Sequence, residues 1–124
     1  SQLVTFNGKG IYEEPKVVWA HSTGLTSLVF YDRDKLGEQY TNEMFVGGVH
    51  NSRIYHFKLN DERNDLVLPK VLGEKFIENP INIGAEEIVF GDGFGAVTDL
   101  TVGPDGYLYV VSIGQGKIFR ILPK

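Results

Sequence analysis

An internal repeat constrains the fold more than any other feature of this chain. The same pattern of residue classes occurs at 43–59 and at 107–123, and the two segments align without a gap. In each segment an apolar run reaches a short polar turn, and a second apolar run then starts with a base and an isoleucine, at Arg53 and at Lys117. One such unit cannot bury its own apolar faces, so the repeat predicts stacked units.

The residues of each unit favour β-strands. The chain has 15 glycines and a high share of Val, Ile, Phe and Tyr, and no long stretch has a helical period of apolar residues. The sequence Gly-Pro-Asp-Gly at 103–106 predicts a tight hairpin, because Pro fixes the second turn position and Asp and Gly suit the next two. We expect an all-β fold, with left-handed backbone conformations at Gly106 and Asn51.

Both faces of these sheets are predicted to be covered, because the apolar runs 44–46 and 108–111 do not alternate with polar residues. We expect two four-stranded antiparallel units. The first spans about 26–91, with its fourth strand at 86–91. The second spans about 96–123 and lacks a fourth strand. A lone strand-like stretch at 3–6 would be an outer strand.

Composition excludes several classes of function. The net charge is −4 and the charged residues are interspersed, so a nucleic-acid or anionic-membrane surface is not expected. The chain has no cysteine, which excludes disulfides, thiolate zinc and a cysteine nucleophile. No apolar run approaches the roughly 18 residues that a membrane span requires.

Several stretches, in their order along the chain, resemble the C-terminal part of the glucose/sorbosone dehydrogenase family. These stretches are residues 19–22, 28–31, 44–48, 90–91, 99–109 and 116–121. The resemblance covers residues 3–124 and corresponds to about the last third of a family member. It implies a partial six-bladed β-propeller, of which this chain would form two blades, and a periplasmic or extracellular location.

The resemblance also implies a chemistry. Members of this family are soluble quinoproteins that bind pyrroloquinoline quinone (PQQ) and calcium over a central channel, where a histidine helps to transfer hydride from a sugar to the quinone. None of His21, His50 and His56 stands in the family's catalytic histidine motif. The family often carries two arginines before the aspartate that matches Asp99, where this chain has Ala-Val-Thr at 96–98, and His50 replaces an expected lysine.

Two residues are candidates for binding a cofactor. His50 follows a strand where propeller loops face a channel, so it could bind an anion or act as a base, and the alternative is a solvated turn histidine. Asp99 could bind a cation or a polar ligand, and the alternative is a turn cap. Asp92 and Asp105 are interpreted as turn formers, because calcium-loop spacing is missing. We predict no metal site and no catalytic residue in this chain.

The sequence leaves two principal functions open. The first is a fragment or truncated member of a PQQ-dependent sugar dehydrogenase-like propeller, without a complete active site. The second is a non-catalytic propeller module for binding or assembly, with a sugar or small polar molecule as a possible ligand. An unrelated propeller scaffold for protein partners accounts less well for residues 19–31.

An oligomer is also predicted, because two blades would leave two apolar faces and a strand edge uncovered. Three copies joined head to tail could close a ring of six blades, with strand 3–6 of each copy completing the last blade of its neighbour. The channel of this homotrimer would be lined near His50 and Asp99.

Overall fold

The computed structural model describes residues 6–20, 22–72, 76–77 and 85–124. Its strands are β1 (Val18–Trp19), β2 (Leu25–Tyr31), β3 (Glu43–Gly48), β4 (Ile54–Leu59), β5 (Leu66–Val67), β6 (Phe76–Ile77), β7 (Val89–Gly91), β8 (Val97–Val102), β9 (Leu108–Ser112) and β10 (Lys117–Arg120). Short 3₁₀ turns lie at Phe6–Gly8, Glu38–Tyr40, Lys70–Leu72 and Ala85–Ile88. The described residues contain no α-helix, and the all-β prediction is confirmed.

The first sheet is antiparallel, with the order β2-β3-β4-β5 and with β7 also paired to β4. The fourth strand predicted at 86–91 is confirmed only from Val89 onward, because Ala85–Ile88 form a 3₁₀ turn. The outer edge of β4 pairs with two short strands. β5 pairs with Lys58 and Leu59, and β7 pairs with Ile54 and Tyr55. The fourth position of this sheet is therefore shared by two short strands.

The second sheet has three strands in the order β10-β9-β8, all antiparallel. The predicted hairpin at 103–106 joins β8 to β9. The Gly106 amide donates to the Gly103 carbonyl at 2.9 Å, and Gly106 has φ +82°, as predicted. Asp105 acts as the predicted turn former, since its Oδ1 accepts a hydrogen bond from the Tyr107 amide at 3.2 Å.

The left-handed residue of the β3–β4 turn is Ser52, with φ +58°, so the prediction for Asn51 is wrong. The Asn51 side chain explains the shift by one residue. Its Oδ1 accepts a hydrogen bond from the Arg53 amide at 3.4 Å, and its Nδ2 donates to the Tyr55 hydroxyl at 2.5 Å. These two contacts hold Asn51 over the start of β4 and leave the positive φ to the next residue.

Two apolar cores cover the first sheet. The inter-sheet core lies between the sheets and includes Tyr31, Leu36, Phe45, Ile54, Val97, Leu100, Leu108 and Val110. The rear core lies on the opposite face of the first sheet and includes Val46, Tyr55, Phe57, Leu72 and Ile88, with Val17 and Trp19 packed against it. We call the face of each sheet that corresponds to Phe45 its front face and the other its rear face. The front of the first sheet packs on the rear of the second.

The repeat is visible in the backbone as well as in the sequence. Each sheet has a register shift in its first strand pair, at Thr26 in β2 and at Thr98 in β8. Thr26 Oγ1 donates to the Gly47 carbonyl and Thr98 Oγ1 to the Val111 carbonyl, both at 3.4 Å. The two threonines therefore occupy equivalent positions, which fixes the residue-by-residue match of β2 with β8.

Two further predictions concern the stretches 3–6 and 61–85. The predicted strand at 3–6 lies outside the described residues except for Phe6, which begins a 3₁₀ turn. The irregular stretch 61–85 contributes β6, which pairs in parallel with β1 and was not anticipated. Within the described ranges, no helix has the length and apolar character needed to cross a membrane.

Candidate functional site

The candidate residues lie at or near one end of the two sheets, where turns and loops join the strands. We call this end the rim. At the rim β3, β7 and β9 end, and β2, β4, β8 and β10 begin. The turn at 49–53, the loop at 92–96 and the turn at 113–116 meet there. The Phe94 amide donates to the Ser52 carbonyl at 3.1 Å, and this hydrogen bond connects the loop at 92–96 to the turn at 49–53.

His50 lies exposed in the turn after β3. Its amide donates to the Thr23 carbonyl at 3.1 Å, and its Nδ1 lies 3.3 Å from the Ser22 carbonyl oxygen. Gly24, with φ +59°, is needed beside it, because a Cβ there would lie 2.6 Å from Val49 Cγ2 and 3.1 Å from the His50 ring. The ring is thus positioned by backbone contacts, with Nδ1 directed to a carbonyl, in a residue that is exposed as a whole.

Asp99 lies within β8, opposite Val111, and its side chain is exposed on the front face of the second sheet. Because it lies inside a strand, it does not cap a turn. Neither the hydrogen bonds nor the ion pairs of the described residues join Asp99 to His50. The structure therefore places the two candidates on different sheets, one in a rim turn and one on a sheet face.

The loop at 92–95 carries the charged contact of the rim. Arg53 Nε donates to Asp92 Oδ2 at 3.2 Å, and Asp92 Oδ1 accepts a hydrogen bond from the Gly93 amide at 2.6 Å. Gln115 Nε2 donates to the Gly93 carbonyl at 2.7 Å and ties the loop to the second sheet. Asp92 is therefore a turn former, as predicted, and it also neutralises Arg53.

Sequence reasoning missed two buried hydroxyl groups near the rim. Thr23 Oγ1 and Ser27 Oγ are buried and have no hydrogen-bond partner in the described part of the chain. A buried hydroxyl without a partner costs free energy, so such groups often mark a place where another molecule or water binds. The repeat offered a signal for Ser27, because it occupies the position in β2 that Asp99 occupies in β8.

His56 is structural, as predicted. Its ring lies against Tyr40 and Phe45 with centroid separations of 5.0 and 5.1 Å. Burial lowers the pKa of His56 below its ordinary value, although the nearby Glu43 carboxylate opposes that shift. The neutral ring thus packs as part of the inter-sheet core. His21 lies outside the described residues.

The chain matches the family model described as glucose/sorbosone dehydrogenase over residues 3–120. It belongs to the glucose/sorbosone dehydrogenase family. The chain is also 26% identical over 113 residues to the aldose sugar dehydrogenase YliI of Escherichia coli (strain K12). That match covers 90% of this chain and 25% of the relative, so the chain spans about a quarter of the curated relative's length.

A solved structure of a glucose dehydrogenase superposes on this chain with a TM-score of 0.61 and 19% sequence identity. The superposition covers 90% of this chain and 29% of that structure. At this identity the similarity shows the fold alone, and it fits a β-propeller. The resemblance to the glucose/sorbosone dehydrogenase family is therefore confirmed for nearly the whole chain.

The described residues supply only part of what the cofactors of the glucose/sorbosone dehydrogenase family would require. A calcium ion takes six to eight oxygen ligands, and the described residues contain no group of three or more acidic, histidine or cysteine side chains that could hold a metal ion. The carboxylates of PQQ require basic partners. At the rim, Arg53 is paired with Asp92, and Lys117 Nζ lies 3.4 Å from Gln115 Oε1.

Proposed function

We propose that this chain forms two blades of a PQQ-dependent sugar dehydrogenase-like propeller and has no complete active site of its own. One observation carries the proposal. The family model matches residues 3–120, whereas the chain spans only 25% of the aldose sugar dehydrogenase that it matches. The first and second sheets are the two blades, and the inter-sheet core is the packing between them.

The rim supports this proposal through what its side chains offer. His50 presents an exposed imidazole ring in the turn after β3, and Asp99 presents an exposed carboxylate on the other sheet. We assign these two side chains to contact with a polar ligand such as a sugar or the quinone in a complete propeller, where other blades would supply most of the contacts. Two contacts from separate sheets orient a ligand but supply neither a metal site nor a paired acid and base.

The test is calorimetric titration of the chain with PQQ and calcium, together with dye-linked oxidation of aldoses in the same buffer. The aldose sugar dehydrogenase of E. coli serves as the positive control. We expect no saturable heat and no turnover above the blank. Saturable binding that His50→Ala abolishes would overturn the inactive-fragment proposal and support the assignment of His50 to the cofactor.

A binding or assembly module is the second candidate function. The replacement of the family's arginines by Ala96 and Thr98 favours it, as do exposed apolar residues on both outer sheet faces, such as Leu28 and Ile118. In this form the chain associates with itself, and three copies would close a ring of six blades. Light scattering tests this, and a stable monomer would remove it.

A further inference from the structure

The chain contains two aspartate-glycine pairs, and the structure gives them different surroundings. Asp92 and Gly93 lie in the loop at 92–96, and Asp105 and Gly106 lie in the hairpin between β8 and β9. Both glycines have φ +82°, and an aromatic residue follows each pair, so the local sequence and the glycine conformation are matched. An aspartate before a glycine is a reactive pair, because a glycine without a Cβ lets its amide nitrogen approach the preceding carboxyl group closely.

The Gly93 amide is directed at the carboxyl group of its own neighbour. Its nitrogen lies 2.6 Å from Asp92 Oδ1 and has no other hydrogen-bond acceptor among the described residues. Both residues are exposed, and a Cβ built on Gly93 would meet nothing within 4 Å. Arg53 Nε donates to the second oxygen, Oδ2, at 3.2 Å and keeps the carboxyl group beside this amide. The amide nitrogen and the carboxyl group are therefore neighbours, with open space around them for a cyclic product.

The hairpin holds the corresponding amide away from its carboxyl group. The Gly106 amide donates to the Gly103 carbonyl at 2.9 Å, whereas Asp105 Oδ1 accepts its hydrogen bond from the Tyr107 amide at 3.2 Å. Gly106 is also buried, and a Cβ built there would lie 3.0 Å from Lys35 Cγ. The second pair therefore has its amide engaged in a turn and has little room for a ring.

We propose that Asp92 and Gly93 form a site of spontaneous succinimide formation, and that the folded hairpin protects Asp105 and Gly106 from the same reaction. The Gly93 nitrogen attacks Cγ of the neutral Asp92 carboxyl group and forms an N–Cγ bond. The hydroxyl of that carboxyl group leaves with the amide proton as water. Water then opens the imide at either carbonyl carbon, which restores aspartate or yields isoaspartate, and the cycle needs no oxidant, metal or second protein.

Isoaspartate at position 92 would change the rim, because the backbone of the loop then runs through the side chain and is longer by one methylene group. The free carboxylate then lies on Cα, so the present contact of Asp92 with Arg53 is lost. The hydrogen bond from the Phe94 amide to the Ser52 carbonyl lies two residues further along and should weaken. The modification would therefore loosen the connection between this loop and the turn that carries His50.

Incubation of the folded chain in mildly acidic water enriched in heavy oxygen tests the site, because the neutral carboxyl group is the reacting form. Each opening of the imide adds one heavy oxygen atom. Residues 76–117 contain no Lys or Arg before Lys117, so trypsin digestion in ordinary water leaves both pairs in one peptide. Electron-transfer fragmentation then locates the label and the isoaspartate. We expect both to accumulate several-fold faster at Asp92 than at Asp105.

The same incubation in guanidinium chloride is the matched control. Unfolding removes the difference in surroundings, so the rates at Asp92 and Asp105 should become similar. Asp92→Glu is a second control, because its longer side chain keeps a carboxylate near Arg53 but cannot form the five-membered ring. After the incubation, amide hydrogen exchange at Phe94 should be faster in the parent and unchanged in Asp92→Glu.

Three outcomes would overturn the proposal. Equal rates at Asp92 and Asp105 in the folded chain would show that the hairpin gives no protection. Label that appears at Asp92 only after unfolding would show that the folded loop prevents the reaction. A difference that persists unchanged in guanidinium chloride would show that local sequence, and not the structure, sets the two rates.

Discussion

The first and second sheets carry the same repeat, yet within the described part of the chain only the first has an apolar core on both faces. On its rear face the repeat residues are covered by segments outside the repeat, including Val17, Trp19 and Leu72. Among the described residues, none covers the front face of the second sheet in this way, and Asp99, Arg120 and Ile118 are exposed there. Burial in this chain therefore depends on which segments pack on each face, since the strand sequences themselves are alike.

The largest expected effect comes from truncating one leucine of an equivalent pair. Leu100→Ala removes a buried side chain from the inter-sheet core and should lower the free energy of unfolding by about 2–4 kcal/mol. Leu28→Ala, at the matched position of β2, should cost less than about 1 kcal/mol in the monomer, because its side chain is already half exposed. Urea unfolding at low protein concentration measures both. Equal losses would show that Leu28 is covered within the folded chain, which contradicts its observed exposure of 55%.

Turn geometry gives a second contrast between the sheets. Gly106 in the second sheet has φ +82°, and Ser52 in the first has φ +58°. Gly106→Ala should cost about 1 kcal/mol, because a side chain is strained in this region. Ser52→Gly should change stability by less than about 0.5 kcal/mol, since relief of that strain is offset by glycine's greater freedom when unfolded. Thermal melts of both variants test this, and a Gly106→Ala melt that matches the parent would count against the left-handed assignment.

Features with local causes could be predicted from the sequence, whereas features that depend on contacts between distant residues could not. The repeat, the hairpin at 103–106 and the strands β3, β4, β8 and β9 were predictable, because turn chemistry and apolar runs act over a few residues. The pairing of β1 with β6 was not, because it joins two-residue strands far apart in the chain. The prediction for Asn51 was wrong because its side chain donates a hydrogen bond to the Tyr55 hydroxyl. The turn propensity of asparagine does not include such a contact.

The candidate site was less predictable than the fold. The position of His50 at the rim followed from the predicted strand ends, but nothing in the local sequence showed that Ser22 and Thr23, in the loop before β2, would contact it. The buried hydroxyl of Ser27 required knowledge of how the sheets pack. Whether His50 and Asp99 contact a ligand stays a prediction.

The stability of the chain should depend on pH through His56, whose equivalent position in the second sheet is occupied by Arg120. Burial lowers the pKa of His56 in the folded chain below its ordinary value of 6.5. The unfolded chain therefore takes up this proton first as the pH falls. Stability should be full above the unfolded pKa of 6.5 and decline as the pH falls through that value towards the folded pKa.

Urea midpoints measured on both sides of that pH, for the parent, His56→Gln and the control His50→Gln, test this prediction. The loss of stability on acidification should shrink in His56→Gln and persist in His50→Gln, whose ring is exposed. An equal response in all three proteins would show that His56 titrates alike in both states. It would then not belong to the inter-sheet core in the way that its contacts indicate.

The smallest expected effect concerns the ion pairs, one on each sheet. Arg53 and Asp92 are 3.2 Å apart at the rim, and Arg120 and Asp105 are 3.3 Å apart at the second sheet's hairpin. Arg53→Met should cost at most about 1 kcal/mol, since exposed pairs contribute little and salt screens them. Arg120→Met should not destabilise the monomer measurably, because the Arg120 side chain is 49% exposed against 29% for Arg53, and the Tyr109 hydroxyl still donates to Asp105 Oδ2 at 2.7 Å. Unfolding in low and high salt distinguishes the two variants. A larger, salt-independent loss for Arg120→Met would mean that the front face of the second sheet is desolvated even in the monomer, which contradicts the exposure on which the comparison of the two sheets rests.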